Sequence, residues 1–174
     1  MKLFETIKHN LKLNNKARND YKSFKSIPKD KRQVVFYAET SADWSFIGPV
    51  YNELIRINKS VVMITSDIND KKLKESNCFY IGYGSIRTVF FRTLDSKLLV
   101  LTLTDLGSSY LKKSMFNVHY FYIFHSLNSS HVAYREHAFD NYTTIFCASE
   151  YHIREIQMTE KVYKIKNKKL EKCG

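Results

Sequence analysis

The sequence has few of the residues that build disulfide-linked or zinc-linked folds. Its 174 residues include three cysteines, Cys78, Cys147 and Cys173, which are far apart and form no CxxC spacing. Neither a disulfide framework nor a structural zinc site is indicated, and the thiols are expected to be reduced. Two prolines and five glycines, against 44% hydrophobic and 14% aromatic residues, leave ample apolar surface for one domain of ordinary size.

Long apolar runs are also missing. No run approaches the roughly 20 residues that a transmembrane helix needs, and the N-terminus has no apolar stretch typical of a secretory signal. These absences predict a cytoplasmic protein.

Positive charge is abundant, but it is concentrated at the two ends of the chain. Of the net +11, residues 1–33 carry +7 and residues 160–174 carry +4, which leaves residues 34–159 neutral. A basic end more often indicates a solvated or membrane-surface segment than a folded nucleic-acid site. The charge pattern therefore does not favour a nucleic-acid partner, which would need a basic patch organised on the fold.

Residues 1–32 form a basic N-terminal segment with a predicted amphipathic helix. Phe4, Ile7 and Leu11 follow helical spacing, and Pro28 closes the stretch. Two interpretations remain open. The helix either packs on the domain or lies on an anionic membrane at the inner face of the cell membrane, with lysines around an apolar stripe.

From residue 33 the pattern changes to short apolar runs that alternate with helical segments. Strands are predicted at 33–38, 61–65, 79–81, 98–103, 120–125 and 143–148, and helices at about 49–58, 85–94, 129–139 and 150–162. This alternation predicts a three-layer, Rossmann-like α/β domain over residues 33–163, with a mostly parallel sheet. Residues 164–174 are predicted to be a basic tail or the start of an interdomain linker.

Polar side chains follow the predicted strands, where ligands bind in open parallel sheets. The candidate substrate-binding residues are Glu39, Asp43, Thr104, Asp105, Ser126 and Ser149. Several have a structural alternative. Asp43 either binds a hydroxyl group or caps a helix, and Trp44 either stacks on a ligand or belongs to the core. Thr104 and Asp105 either bind a ligand or cap a helix, and capping is the favoured role.

The familiar phosphate-binding motifs are absent. No GxGxxG follows the first strand and no GxxxxGK[ST] occurs in the chain, so neither a dinucleotide site nor a P-loop is indicated. Gly82 and Gly84 either open a phosphate-binding turn before the next helix or form a simple strand-to-helix turn, and two glycines around a tyrosine favour the simple turn. Histidines recur every six residues from His119 to His137, but this period matches neither a helix nor a strand face, and no metal site is predicted.

His125 is the candidate catalytic residue. It ends a strongly apolar predicted strand and precedes a serine-rich segment. A histidine in this position is either structural or a general base near neutral pH.

Three segments resemble one family. They are FYAETSADWSFIGPVYNEL at 36–54, LLVLTLTDLGSSYLKKS at 98–114, and VHYFYIFHSLNSSHVAYREHAFDNYTTIFCASEYHIREI at 118–156, within a span of about two-thirds of the chain. They are similar to the N-terminal, acceptor-side half of bacterial CDP-glycerol glycerophosphotransferase-like proteins. These proteins have the GT-B architecture of glycosyltransferases, in which two Rossmann-like domains face each other.

The resemblance implies a function in the synthesis of cell-envelope polymers such as teichoic acid. His125 matches the family histidine proposed as the base toward an acceptor hydroxyl, although Ser126 stands where the polymerases usually have glycine. A polyol-phosphate or glycan acceptor is implied for this half. The CDP- or UDP-activated donor is expected to bind a C-terminal domain or a separate partner that has no counterpart in these residues, so no cofactor is assigned to this chain.

Two hypotheses follow. The chain is either the acceptor-side domain of a glycerophospho- or glycosyltransferase-like enzyme, expected to be inactive alone, or a non-catalytic, stand-alone Rossmann-like binding or interaction module. The resemblance favours the enzyme.

Overall fold

Short apolar runs form strands here because both of their faces are buried. Val61–Thr65 is buried at all five positions, and Leu98–Leu101 at the last three of its four. The computed structural model describes residues 2–125, 129 and 133–173, and within them seven strands form one sheet. Flanking helices begin where the apolar spacing changes from strand-like to helical.

Helices and strands alternate along most of the chain. The strands are β1 (Val34–Ala38), β2 (Val61–Thr65), β3 (Cys78–Tyr80), β4 (Leu98–Leu101), β5 (His119–Ile123), β6 (Thr144–Cys147) and β7 (Lys169–Lys172). The helices are α1 (Lys2–Ser26), α2 (Trp44–Arg56), α3 (Ser85–Thr93) and α4 (Glu150–Tyr163). Short 3-10 turns lie at Lys29–Lys31, Ser41–Asp43 and Lys71–Lys74.

The sheet is parallel throughout, with the strand order β3-β2-β1-β4-β5-β6-β7. At its centre, Phe36 of β1 lies opposite Met63 of β2 and Val100 of β4. The order reverses between β1 and β4, which is the topological switch point of a doubly wound sheet. The predicted α/β, three-layer Rossmann-like fold is confirmed.

Two apolar clusters cover the two faces of the sheet. One contains Tyr37, Leu101 and Tyr122 of the strands and receives side chains from α1, α3 and α4. The other contains Phe36 and Met63 and receives side chains from α2. Residues on alternate positions of one strand thus belong to opposite clusters, as the pleat of a strand requires.

Three elements differ from their predicted extents. Helix α2 begins at Trp44 rather than near Pro49, because a turn at Ser41–Asp43 starts it early and the exposed Pro49 is tolerated inside it. In the region predicted as a helix at 129–139, residue 133 is helical, whereas the described residues 134–139 lie in turns and irregular structure. The segment 164–174, expected to be a tail or linker, contributes the edge strand β7, which pairs with β6.

Helix α1 has a packed half and an exposed half. Ala17 and Phe24 are buried, and Asp20 Oδ2 accepts a hydrogen bond of 2.9 Å from the backbone N–H of Tyr80. The second half therefore packs on the domain, as one of the two interpretations predicts. Among the described residues, no helix combines the length and the apolar character required to cross a membrane.

Candidate functional site

Most of the predicted site residues follow strands and therefore lie at the carboxyl edge of the sheet. Glu39 follows β1, Thr104 and Asp105 come shortly after β4, His125 follows β5, and Ser149 follows β6. Since β4 and β5 are neighbours whereas β1 and β5 are not, Glu39 is two strands, or about 10 Å, from the position of His125.

Glu39 is held in an ion pair. Its Oε1 accepts hydrogen bonds of 2.8 Å from Arg87 Nη1 and of 2.8 Å from the hydroxyl of Tyr110. The buried Arg87 guanidinium lies 3.5 Å from the centroid of the Tyr110 ring, and its Nε has no hydrogen-bond partner among the described residues. Burial, together with the hydrogen bond to Glu39, raises the pKa of Tyr110 to about 12. Glu39 thus joins α3 and the segment after β4 to the end of β1.

Asp43 is a helix-capping residue. Its Oδ2 accepts a hydrogen bond of 2.9 Å from the backbone N–H of Thr40, which completes a capping box. Its Oδ1 accepts a hydrogen bond of 2.8 Å from the hydroxyl of Thr102, next to the end of β4. Trp44 packs on Tyr51, with ring centroids 4.9 Å apart, so it contributes to the core. Both residues therefore take the structural alternative that the sequence left open.

A cavity of about 260 Å³ opens at the end of β4. It is lined by residues 103–105, 108–111 and Arg135. Asp105 organises it: Oδ1 accepts a hydrogen bond of 2.6 Å from Arg135 Nε, and Oδ2 accepts one of 2.8 Å from the hydroxyl of Thr104. Burial alone would raise the pKa of Asp105, but these two hydrogen bonds outweigh it and the pKa lies below its ordinary value. Asp105 is therefore a carboxylate at neutral pH.

Arg135 is the cation of this cavity. Its side chain is 70% exposed, and Asp105 holds it only through Nε. Among the described residues, no acceptor binds its two Nη groups. A guanidinium fixed at one end and open at the other suits a phosphate or carboxylate ligand.

His125 is exposed at the end of β5. Its Nδ1 lies 3.5 Å from the hydroxyl of Tyr122, a weak contact, and its ring is flanked by Phe46 and Tyr134 with centroids 6.2 and 6.3 Å away. No backbone group of the described residues binds the imidazole. The contacts that the described residues make do not resemble those of a buried structural histidine, and the residue is exposed.

Tyr134 and Arg135 connect His125 to the cavity. These consecutive residues place one ring against His125 and one guanidinium on Asp105. The structure thus brings together Thr104 and Asp105 after β4, His125 after β5, and Arg135 of the segment between β5 and β6. Arg87, Tyr110 and Arg135 were not among the residues predicted from sequence, because each is drawn to its partner by the fold from at least 30 residues away.

A further predicted residue, Ser149, does not join this group. Ser149 caps α4, where its side chain accepts a hydrogen bond of 3.4 Å from the backbone N–H of His152. Ser126 lies outside the described residues. A second cavity of about 160 Å³ lies between residues 134–140 and the end of α4, where Glu160 and Lys168 form a buried ion pair. Because Tyr134 and Arg135 also line it, this cavity adjoins the carboxyl-edge site.

Metal binding and thiol chemistry find no support in the part of the chain that the structure describes. No three His, Cys, Asp or Glu side chains there are close enough to hold a metal ion. All three cysteines are unpaired, and burial raises the pKa of Cys78 and of Cys147 to about 12. These two thiols are therefore poor nucleophiles.

Comparison of the chain with protein-family models, with curated proteins and with solved structures finds no match.

Proposed function

We propose that this chain is the acceptor-side domain of a glycerophospho- or glycosyltransferase-like protein of cell-envelope polymer synthesis. The observation that carries the proposal is the exposed His125 beside the Arg135–Asp105 cavity. A base follows β5, and an anion-binding cation is held by Asp105 after the neighbouring β4, as an acceptor with both a hydroxyl and a phosphate requires. The resemblance of the segments around these residues to the glycerophosphotransferase-like family supports the same function.

His125 acts as the general base. Its imidazole takes the proton of the acceptor hydroxyl while the hydroxyl oxygen attacks the donor, either at phosphorus or at an anomeric carbon. The new bond to oxygen forms as the bond to the CMP or UDP leaving group breaks. The donor nucleotide is held by a second, GT-B-type domain or by a separate partner.

Arg135 positions the acceptor. Its open Nη groups bind a phosphate of a polyol-phosphate chain, or a carboxylate of a glycan, while Asp105 fixes the guanidinium through Nε. Thr104 supports Asp105 from the other carboxylate oxygen. Because acceptors of envelope polymers are assembled at the cell membrane, the domain works at its inner face.

Acceptor binding gives a direct test. In an NMR titration with a short glycerol phosphate oligomer, the His125 imidazole signals should shift, whereas those of His119, exposed at the opposite end of β5, should not. Arg135→Ala should weaken binding by about tenfold or more. Arg56→Ala is the matched control, because Arg56 is an equally exposed arginine paired with Glu53 on α2. Equal shifts at both histidines, or equal loss in both variants, would reject the site.

Catalysis is tested separately. The chain alone should not release CMP from CDP-glycerol. Combined with a donor-binding domain, His125→Ala should lower turnover by about 10²-fold or more without changing the melting temperature. Acceptor binding without any turnover in that combination would instead favour the non-catalytic binding module.

A further inference from the structure

Helix α1 extends past the carboxyl edge of the sheet. Lys25 Nζ donates a hydrogen bond of 3.3 Å to the carbonyl of Thr93 at the end of α3, whereas Asp20 contacts Tyr80 at the end of β3. Asn14 lies beside Gly84, beyond that strand end. Residues 2–13 therefore project about 18 Å past the edge at which the candidate site lies.

The projecting half carries an unpartnered apolar stripe. Phe4, Ile7 and Leu11 are 72%, 48% and 57% exposed, and their spacing places them on one side of the helix. The same side continues with Arg18 and Lys22, which are exposed and have no ion-pair partner among the described residues. It is therefore apolar at its outer end and basic next to the domain.

The buried side of the second half of α1 is turned away from this stripe. The buried Ala17 precedes Arg18 by one residue, and successive residues of an α-helix are turned by about 100°. The apolar stripe is thus a separate surface from the one that Ala17 and Phe24 bury. Solvent exposure of three large apolar side chains needs an explanation outside the domain core.

We propose that the stripe of Phe4, Ile7 and Leu11 inserts into an anionic lipid surface, with Arg18 and Lys22 against lipid phosphates. Charge complementarity selects this occupant, because residues 2–13 contain three lysines against one glutamate and the stripe continues into two more cations. A neutral partner would leave these cations unpaired.

The orientation has a consequence for the candidate site. Because the anchor projects from the carboxyl edge, binding brings that edge, with His125 and Arg135, toward the bilayer. An acceptor chain carried on a lipid would then reach the site from the membrane side. This consequence rests on the proposed function, whereas lipid binding itself does not.

Vesicle sedimentation tests the apolar contribution. The full chain should sediment with vesicles of mixed phosphatidylglycerol and phosphatidylcholine but not with pure phosphatidylcholine. The triple variant Phe4→Ala, Ile7→Ala, Leu11→Ala should bind at least about tenfold more weakly. An unchanged thermal melting curve shows that this variant is folded, because its replaced side chains lie outside the core.

A matched control replaces three exposed apolar residues elsewhere. Tyr151→Ala, Met158→Ala and Val162→Ala together remove similar exposed apolar surface from α4 and should leave vesicle binding unchanged. Equal loss in the control and the α1 variant would overturn the proposal, since binding would then depend on exposed apolar area in general.

Charge reversal tests the basic part. Arg18→Glu with Lys22→Glu should reduce binding by about tenfold or more, and added salt should weaken binding of the unaltered chain. The control pair Lys161→Glu and Lys166→Glu makes the same change in net charge at exposed positions near the other end of the chain. Binding that falls equally in both pairs would show a net-charge effect and reject the anchor.

The remaining alternative is a second copy of the chain. If the stripe pairs two molecules, sedimentation equilibrium without lipid should show a dimer that the α1 triple variant abolishes, and this result would overturn the proposal. A monomer that binds anionic vesicles supports it. The measured quantity is lipid affinity, so the result is independent of whether Arg135 binds an acceptor.

Discussion

The ion pair between Arg87 and Glu39 should make a large contribution to stability at the carboxyl edge. Arg87→Met keeps most of the aliphatic packing but removes the guanidinium that lies 2.8 Å from Glu39 and 3.5 Å from the Tyr110 ring. Breaking a buried ion pair from one side costs about 3–5 kcal/mol. The Glu39 side chain is 26% exposed and keeps its hydrogen bond from Tyr110, so we expect about 2–4 kcal/mol here.

A double-mutant cycle isolates the pair itself. Urea unfolding of Arg87→Met, of Glu39→Gln and of the double variant should give a coupling energy of about 2 kcal/mol, with an unchanged dependence of the unfolding free energy on urea. The double variant should be more stable than the sum of the two single effects predicts, because it leaves no unpaired charge behind.

The control for this cycle is the pair between Arg56 and Glu53. The atoms are as close, at 2.6 Å, but the side chains are 71% and 55% exposed. Solvent screening should leave this pair with no measurable coupling. A coupling energy below about 0.5 kcal/mol for Arg87 and Glu39 would refute the argument that burial makes their contact strong.

Three further changes should have defined effects. Phe24→Ala should cost about 3–5 kcal/mol in urea unfolding, because this fully buried ring fixes α1 to the domain. Asp105→Asn should be less stable than the unaltered chain at neutral pH, and the difference should shrink as the pH falls through the lowered carboxyl pKa, since protonation removes the same interaction. Urea unfolding at a series of pH values measures this. Gly107→Ala should lower the unfolding free energy by about 1–3 kcal/mol, because φ is +102° and a Cβ would lie 2.8 Å from Asn141 Nδ2. Gly84→Ala, where φ is negative and the nearest atom is 3.5 Å away, is its control and should change little.

The buried strands could be predicted from the sequence because burial on both faces requires a continuous run of apolar residues. The prediction at 61–65 coincides with β2, whose five positions are all buried. At 98–103 the apolar run continues past the last strand residue, Leu101, because the chain after it stays buried without pairing. Apolar character reports burial, and strand ends depend in addition on where the neighbouring strand stops.

Strand β7 could not be predicted in the same way. Its sequence, KLEK, is charged and indicates a basic tail rather than a strand. An edge strand can carry such residues because it is paired on one side only and is half exposed. Charged residues are typical of sheet edges, where they oppose pairing with other molecules. Only the register against β6, with Leu170 opposite Ile145, identifies it as a strand.

The candidate site could likewise be predicted from the sequence only in part. The position of residues after parallel strands was enough to select His125 and Asp105, since carboxyl edges collect ligand-binding groups. It could not separate them from Glu39 and Asp43, whose carboxylates are bound to other parts of the fold. That difference depends on partners from distant segments, which no local spacing reveals.

The candidate site is therefore distinguished from the other strand-end residues by whether their polar groups are already hydrogen-bonded within the protein. A polar group already bound within the protein must break that bond before it binds a ligand, and the cost is comparable to the gain. Among the described residues, His125 makes one weak hydrogen-bond contact and Arg135 is bound through a single nitrogen atom, so neither gives up a strong contact there when it binds a ligand. In the proposed function these two groups act as a base after β5 and a cation held after β4, the pair that transfer to a phosphate-bearing alcohol requires.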